Sequence, residues 1–218
     1  MRQNPASKLL AVFFPPRCVF CRAIIPSGES VCGWCQKKTV EPPPHFPMKD
    51  CFALYAYQKP VSDALKSFKT REQPAMARAF GGMMAARLSR TSATGPFDLA
   101  TEVPMTLRDQ RRRGFNQSQL LAKSVARALH IRHGCVLHKL RQTAPQHTLG
   151  RFERMRNVAG AFAVRKPEQV RGKRILLIDD IVTTGSTLRA CRKALLEAGA
   201  ELVVCMTAAA SLPERYDP

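Results

Sequence analysis

Two pairs of cysteines near the amino terminus have the spacing of a metal site. Each pair reads Cys-x-x-Cys, which places two thiolates on one tight turn, and two such turns complete a tetrahedral shell of four sulfur ligands around zinc. Because four thiolates leave no open coordination position, we expect the ion to be structural. A redox role would instead require one pair at a helix N-terminus beside a βαβ unit. The predicted zinc ligands are Cys18, Cys21, Cys32 and Cys35.

The remaining cysteines and the histidines show no such pattern. Cys135, Cys191 and Cys205 stand singly in segments that read as strand or helix, and we expect them to pack as small apolar groups. Trp34, between the last two zinc ligands, is expected to pack within the zinc module rather than to stack on a nucleic-acid base. Ordinary surface or packing roles are expected for the histidines that share no metal-ligand spacing with acids, namely His130, His133, His138 and His147.

A second candidate site lies in residues 175–187, where an apolar run leads into two acids and a glycine turn rich in hydroxyl groups. Asp179 and Asp180 would lie at the carboxyl end of a parallel strand, where open α/β sheets bind ligands. The turn would present backbone N–H groups at a helix N-terminus, which is a ready site for phosphate. Its residues are Thr183, Thr184, Gly185, Ser186 and Thr187.

The two halves of this candidate site favour different parts of one ligand. Asp179 and Asp180 would repel a phosphate, so they suit ribose hydroxyls, or a divalent cation held through those hydroxyls. An acid pair beside a phosphate turn therefore predicts a sugar phosphate. The alternative is an ordinary helix start in which Thr183 or Thr184 is the N-cap.

The charge balance favours polyanionic partners. Lysine and arginine number 35 against 16 acids, a formal net charge of +19. Residues 108–156 hold twelve of these cations against two acids. The arginines of this block could bind phosphate through forked hydrogen bonds, or the block could contact nucleic acid electrostatically. For Lys123, Arg127 and Arg132 the favoured interpretation is a solvated surface. Aromatic side chains in the block are few (Phe115 and Phe152), so base stacking is not favoured.

The candidate sites need a scaffold, and the hydrophobic pattern predicts an α/β fold. Short apolar runs alternate with amphipathic stretches, which is typical of a parallel sheet with crossover helices. Residues 105–115 read as a basic loop. Strands are predicted at 51–57, 98–103, 135–140, 160–164, 174–178 and 202–209. Helices are predicted at 60–69, 74–90, 116–130 and 185–198.

A segment with four prolines, residues 41–47, predicts an extended connection between two units. We expect residues 1–47 to form an N-terminal helix (1–17) and the zinc module, and residues 48–218 to form the α/β domain. No apolar run reaches the ~18–20 residues that a membrane span needs. The apolar patch at residues 9–14 is short and lacks a signal-peptide cleavage pattern. We therefore expect a cytoplasmic protein.

Several motifs resemble one known family. Residues 178–187, Ile-Asp-Asp-Ile-Val-Thr-Thr-Gly-Ser-Thr, resemble the phosphoribosyl pyrophosphate (PRPP) binding signature of type I phosphoribosyltransferases. More closely, the chain resembles the ComF/GntX competence-associated proteins, which join an N-terminal zinc module to such a domain. Further matches are Val103-Pro104 with residues 112–117 (the VP…RGFNQ block), the block at residues 141–162, and Lys69. Together they span about residues 9–209.

The resemblance implies a fold and a set of residue roles. The fold is a type I phosphoribosyltransferase-like parallel sheet with flanking helices, preceded by a small four-cysteine zinc module. Asp179 and Asp180 would engage the ribose hydroxyls as the catalytic acids, residues 183–187 would hold the 5′-phosphate, and Mg²⁺ would accompany PRPP. The pyrophosphate would contact positions that match the family pattern, namely Arg112, Arg113, Arg141, Gln146 and Arg154.

Two functions remain open from the sequence. The resemblance implies a PRPP-binding protein of DNA uptake in transformation, which handles incoming single-stranded DNA at the inner face of the cytoplasmic membrane beside a helicase-like ATPase. The alternative is an active phosphoribosyltransferase, a glycosyltransferase that transfers phosphoribosyl from PRPP to a nucleobase or another nitrogenous acceptor. We find no base-specific pocket in the sequence after the last strand, so the first function is favoured.

Overall fold

The computed structural model describes residues 15–70, 74–91, 95–141, 158 and 160–212 of the 218-residue chain. The predicted N-terminal helix over residues 1–17 lies almost entirely outside the described residues. Gln146, Arg154 and most of the block at residues 141–162 also lie outside them. Within the described residues, no helix has both the length and the apolar character needed to cross a membrane.

Five parallel strands form the central sheet in the order β1-β7-β6-β2-β3. A separate antiparallel pair, β4 and β5, lies outside this sheet. All six strands predicted from the sequence are found, and one, β3, was not predicted. The strands are β1 (Cys51–Ala56), β2 (Leu99–Glu102), β3 (Arg132–His133), β4 (Leu137–Lys139), β5 (Phe162–Val164), β6 (Arg174–Val182) and β7 (Leu202–Ala210).

The helices connect the strands and cover both faces of the sheet. The four helices predicted for the α/β domain are confirmed, with ends that differ by at most one residue from the prediction, and the described residues contain two further short α-helices. They are α1 (Gly33–Lys38), α2 (Val61–Thr70), α3 (Pro74–Ser89), α4 (Leu107–Arg113), α5 (Gln117–Leu129) and α6 (Ser186–Glu197).

Helix α4 corrects the prediction of a basic loop over residues 105–115. Thr106 caps the helix because its side chain accepts a hydrogen bond from the backbone N–H of Asp109. Gly114 ends it in the left-handed conformation, with φ of 82°. The helix has no buried residue, so its sequence lacks the apolar period that identifies most helices. The capping residues Thr106 and Gly114 were the sequence signal that could have identified this helix.

Side chains of the central strands alternate between two hydrophobic layers. On β6, Leu176 and Ile178 join the layer formed with α2, α3 and α5. Ile175 and Leu177 join the opposite layer, which includes α6 and the β4–β5 pair. Burial on both faces explains why these strands are almost uniformly apolar, since each side chain lies in a core whichever way it points.

The zinc module shares a core with the α/β domain. Val19 belongs to the same layer as α3, and the ring of Phe20 packs edge-on against Tyr55 and Phe80 at centroid distances of 5.6 and 6.0 Å. The connecting segment is held by Glu41, which pairs with Arg87 and Arg90 of α3 and its end. The boundary at residue 47 stays a prediction.

Candidate functional site

The acid pair lies on β6, near the middle of the central sheet. This strand is bonded to β7 on one side and β2 on the other. β6 continues to Val182, so Asp179 and Asp180 lie within the strand rather than directly after it. Both acids are partly buried. The site is therefore built on the most constrained part of the sheet, which limits how far the carboxylates can move.

Asp179 is held by neutral donors. The Ser118 hydroxyl at the start of α5 donates to Asp179 Oδ1 at 2.7 Å, and the backbone N–H of Asp180 donates to the same oxygen at 2.9 Å. Burial and the neighbouring charge of Asp180 raise the pKa of Asp179 to about 7, and these two hydrogen bonds only partly offset the shift. Asp179 is thus a carboxyl group that titrates near neutral pH.

Asp180 is paired with a cation. Lys69 Nζ, at the end of α2, lies 3.1 Å from Asp180 Oδ2. Gln117 holds this lysine in place because its side-chain amide donates to the Lys69 backbone carbonyl at 3.4 Å. The pairing places one positive charge directly beside the acid pair. The pairing also gives a structural role to Lys69, which was singled out in the sequence only through the family resemblance.

The Phe-Asn-Gln-Ser segment at residues 115–118 positions both acids. Asn116 caps α5, since its side chain accepts from the backbone N–H groups of Ser118 and Gln119 and donates to the Val103 carbonyl. Phe115 packs near Phe68 on α2 with a centroid distance of 6.3 Å. One short segment therefore joins the end of α2, the start of α5 and the acids of β6.

The glycine turn after β6 forms the other half of the site. Gly185 has φ of 75° and precedes α6, which has no side-chain N-cap. The first backbone N–H groups of a helix have no partner within it, so they can bind an anion. A side chain at Gly185 would also approach Pro47 Cγ to 2.9 Å. Thr184 and Ser186 stabilise the turn through hydroxyl groups 2.8 Å apart, and Arg189 donates to the Thr184 carbonyl at 2.7 Å.

Acids and turn face one polar cavity of about 190 Å³. Residues 179–183 and 185–188 line it. Among the predicted phosphate-binding residues of the turn, Thr183, Gly185, Ser186 and Thr187 belong to this lining, while Thr184 supports the turn from beside it. The structure therefore brings both halves of the predicted sugar-phosphate site together.

The predicted pyrophosphate residues are only partly described. Arg112 and Arg113 lie exposed on α4, where Arg112 pairs with Asp109 of the same helix at 3.2 Å. Arg141 is exposed at the end of a described segment. Gln146 and Arg154 lie outside the described residues. None of the three described arginines lines the cavity of the acid pair, so their role stays a prediction.

The predicted zinc ligands converge at one point. The Sγ atoms of all four lie within 4.8 Å of one another, and those of Cys21 and Cys32 are 3.6 Å apart. Backbone N–H groups point at two of the sulfurs, from Cys32 to Cys18 and from Cys35 to Cys32, each at 3.4 Å. Donors of this kind stabilise thiolates, so the residues fit a four-sulfur zinc site.

Two expectations about aromatic and thiol packing were wrong. Trp34 does not pack within the zinc module, because 63% of its surface is exposed and the Lys38 ammonium lies 5.6 Å from its ring centroid. Cys135 is exposed and lies beside Glu102 and His133 rather than in the core. Cys191 and Cys205 are buried as expected.

Two residues that position the site were not singled out from the sequence, although Gln117 belongs to the block at residues 112–117 that resembles the family. Ser118 and Gln117 hold Asp179 and Lys69, but no pattern of period or charge marks them. The available signal was their place at the first turn of a helix directly after an N-cap, where side chains point back toward the preceding sheet edge.

Comparison with known proteins gives two domain matches. Residues 116–218 match the phosphoribosyl transferase domain family, and residues 9–46 match the double zinc ribbon domain family. The second match includes all four cysteines of the cluster. Together with the converging sulfurs, it supports a structural zinc ion held by these residues.

Relatives that match most of the chain are named for DNA utilization or competence. DNA utilization protein YhgH of Escherichia coli O6:H1 is 34% identical over 176 residues, which is 79% of this chain and 74% of that protein. Competence protein F of Haemophilus influenzae is 29% identical over 193 residues, 85% of this chain and 81% of that protein. Among solved structures, adenine phosphoribosyltransferase from Thermoanaerobacter pseudethanolicus is 16% identical with a TM-score of 0.40, covering 81% of this chain and 98% of its own.

Proposed function

The chain belongs to the ComF family of competence-related proteins, which includes Competence protein F and DNA utilization protein YhgH, and from this premise we propose that it binds PRPP and takes part in DNA uptake. PRPP binding is the biochemical property, and DNA uptake is the process it serves. The observation that carries the proposal is the single cavity shared by the acid pair and the glycine turn.

Each half of the cavity has a part in binding. The amides and hydroxyls at the start of α6 hold the 5′-phosphate, because the helix dipole and unpaired N–H groups favour an anion there. Asp179 and Asp180 accept hydrogen bonds from the ribose hydroxyls. Ser118 fixes Asp179, so the carboxylate meets the sugar without reorganising.

Lys69 offsets the repulsion between the acids and the negative ligand. Its ammonium group lies 3.1 Å from Asp180, so the acid pair carries less net charge than two free carboxylates would. Mg²⁺ bound with PRPP would neutralise the pyrophosphate oxygens. Arg112, Arg113 and Arg141 add charge around the site, and we assign Gln146 and Arg154 to the same ligand by resemblance.

The DNA role rests on the family and on charge. The relatives are named for DNA utilization and competence, and the net charge of +19 favours a polyanion. We assign the exposed Trp34 and Ile24 of the zinc module to contact with a protein of the uptake machinery, such as its helicase-like ATPase, at the inner face of the cytoplasmic membrane.

Calorimetric titration with PRPP and Mg²⁺ tests ligand binding. The double substitution Asp179→Asn with Asp180→Asn should weaken binding by more than about 100-fold, since amides lose the charge that attracts the ribose hydroxyls. Asp63→Asn is the matched control, because Asp63 is exposed on α2 and pairs with Lys59, which is exposed and lies four residues earlier. Unchanged affinity in the double variant would reject the site.

A pyrophosphate-release assay separates the two functions that the sequence left open. Wild-type chain with PRPP and a panel of nucleobases should bind PRPP without turnover if the domain serves as a ligand sensor. Turnover with any acceptor would make the protein a phosphoribosyltransferase instead. The double acid variant controls for pyrophosphate released by contaminating enzymes.

A further inference from the structure

A second cluster of ligand-type side chains lies beside the candidate PRPP site, and it differs from it in chemistry. It consists of Glu102, His133 and Cys135, whose carboxylate, imidazole and thiol atoms lie within 4.8 Å of one another. Neither the phosphate-turn motif nor the zinc module contains any of these residues. The cluster is therefore separate from both of these sites.

The register of two parallel strands brings the three residues together. Ala100 of β2 is paired with His133 of β3, and the Gly134 N–H continues this pairing to the Ala100 carbonyl at 3.0 Å. Residues two apart on a strand point to the same face, so Glu102 shares the face of Ala100. Cys135 comes two residues after His133, just beyond the end of β3. The small side chain of Ala100 leaves room beside the imidazole.

The distances are close to those of a metal shell. His133 Nε2 lies 2.8 Å from Glu102 Oε2. Zinc with nitrogen and oxygen ligands at about 2.0–2.2 Å in a tetrahedron would hold such atoms roughly 3.4 Å apart. The difference for this pair is about half an ångström, and the third side chain, Cys135, is exposed.

The carboxylate of the cluster is buried and is held in place by its neighbours. Glu102 has only 6% of its side chain exposed, and an acid so buried needs a partner of opposite charge or hydrogen bonds to every oxygen. The Gln119 amide donates to Glu102 Oε1 at 3.2 Å and to Cys135 Sγ at 3.1 Å. Gln119 thereby orients both groups, as hydrogen bonds from residues outside the ligand shell do at metal sites.

We infer that Glu102, His133 and Cys135 form a second metal site, which takes a zinc-class divalent ion through one oxygen, one nitrogen and one sulfur. Binding replaces the thiol proton of Cys135, which is released to solvent, and leaves one tetrahedral position open. Three protein ligands with an open position distinguish this site from the closed four-cysteine site.

Two of the three proposed ligands, Glu102 and Cys135, line a cavity that favours an anionic oxygen ligand. The cavity has a volume of about 210 Å³, and its lining includes Glu102, Cys135, Lys139 and Arg165. Two cationic side chains beside an open metal position favour a phosphate or carboxylate oxygen as the fourth ligand. The inference is independent of PRPP binding, although Gln119 follows Ser118 directly in α5.

A thiol nucleophile is the competing interpretation of the same residues. It would require the imidazole to take the thiol proton. In the structure His133 Nε2 is directed at Glu102, and the hydrogen bond to the Cys135 sulfur comes from Gln119. The geometry favours shared ligation over proton transfer between Cys135 and His133.

Zinc titration of the full-length chain against a competing chelator tests the site. Wild type should bind two equivalents of zinc, one for the four-cysteine site and a weaker one for the new site. Cys135→Ser, His133→Asn and Glu102→Gln should each weaken the second equivalent by at least tenfold and keep the first. His130→Asn is the matched control, because His130 lies outside the cluster and its left-handed backbone, with φ of 56°, accepts asparagine.

Two results would overturn the inference. Wild type could saturate at one equivalent, or the second equivalent could bind equally well in all three variants, which would mark an adventitious surface site. Because Cys135 is exposed, Cys135→Ser should fold normally, and retention of the first equivalent verifies this in the same titration. Cobalt substitution gives a separate readout, since a single thiolate produces weaker sulfur-to-cobalt absorption than four.

Discussion

At the scale of single residues, Asp179 is less well compensated by nearby positive charge than Asp180. Lys69 compensates Asp180, whereas Asp179 receives hydrogen bonds from an uncharged hydroxyl and a backbone N–H. Burial therefore raises its pKa to about 7. Such a carboxyl is costly to ionise in the free protein, and a bound sugar whose hydroxyls donate to it would lower that cost.

Asp179→Asn should therefore stabilise the protein at alkaline pH. The folded pKa of about 7 exceeds the ordinary value of 3.8, so the folded state binds more protons between these values and wild-type stability falls as pH rises through this range. The amide resembles the protonated acid. We expect the stability advantage of the variant over wild type to be larger at pH 8 than at pH 5 by on the order of 2 kcal/mol.

Urea unfolding at pH 5 and pH 8 measures this difference. Asp63→Asn serves as control, because an exposed acid paired with Lys59 should change stability little at either pH. A loss of stability in Asp179→Asn that is the same at both values would contradict the raised pKa.

At the scale of elements, the contact between α3 and α5 is set by one glycine. A Cβ built at Gly81 would lie 2.4 Å from Ser124 Cβ and 3.0 Å from the Ser124 backbone. The helices can approach closely only because this position has no side chain. The contact matters for the site, since α5 carries Ser118 and Gln117 at its first turn.

Two alanine substitutions in neighbouring positions of α3 should have opposite effects. Gly81→Ala should destabilise the protein by about 1–3 kcal/mol, because the new methyl group separates packed helices. Gly82 is exposed and meets nothing within 4 Å, so Gly82→Ala should stabilise it by about 0.5–1 kcal/mol through helix propensity. Thermal and urea unfolding measure both, and similar effects at the two positions would show that the close approach is unimportant.

At the scale of the whole molecule, the zinc module and the α/β domain stabilise each other. Val19 and Phe20 follow the first zinc ligand and pack into the main core. The Val40 carbonyl accepts from the Ala56 N–H at the end of β1 at 2.7 Å. Loss of zinc should therefore reach beyond the module, because the metal fixes the turn that presents Phe20.

Cys18→Ser should remove the four-cysteine zinc and lower the stability of the entire chain by at least about 2 kcal/mol. Metal analysis and thermal unfolding measure the two effects together. Wild type stripped with a chelator should show the same loss and recover when zinc is returned, whereas the variant should not recover. Unchanged unfolding in stripped wild type would show that the core contacts do not depend on the metal.

The basic surface gives a prediction about DNA. If α4 contacts single-stranded DNA, replacing Arg111, Arg112 and Arg113 by glutamine should reduce the slope of log affinity against log salt by about 2, near 0.7 per lost phosphate contact. Replacing Lys123, Arg127 and Arg132 removes the same charge from exposed positions elsewhere and should change the slope less. Equal slopes for the two triple variants would argue against a track on α4.

The sequence predicted the individual elements and motifs better than the contacts between them. Every strand except β3, the four long helices, the zinc ligands and the turn after β6 were predicted, and the parallel α/β fold with its zinc module is confirmed. Helix α4 was missed because it buries no residue. Trp34 and Cys135 were misplaced because the spacing of residues does not tell on which side of a turn a side chain emerges.

The features that could be predicted are local in the chain. Cysteine pairs, capping residues and alternating apolar runs act through atoms a few positions apart, so their spacing carries the information. The tertiary structure alone decided which side chains meet across the sheet, such as Ser118 with Asp179, 61 positions apart, or Glu102 with His133 on the next strand. Such meetings depend on strand order and helix docking, which are settled by the packing of the whole core rather than by any short stretch of residues.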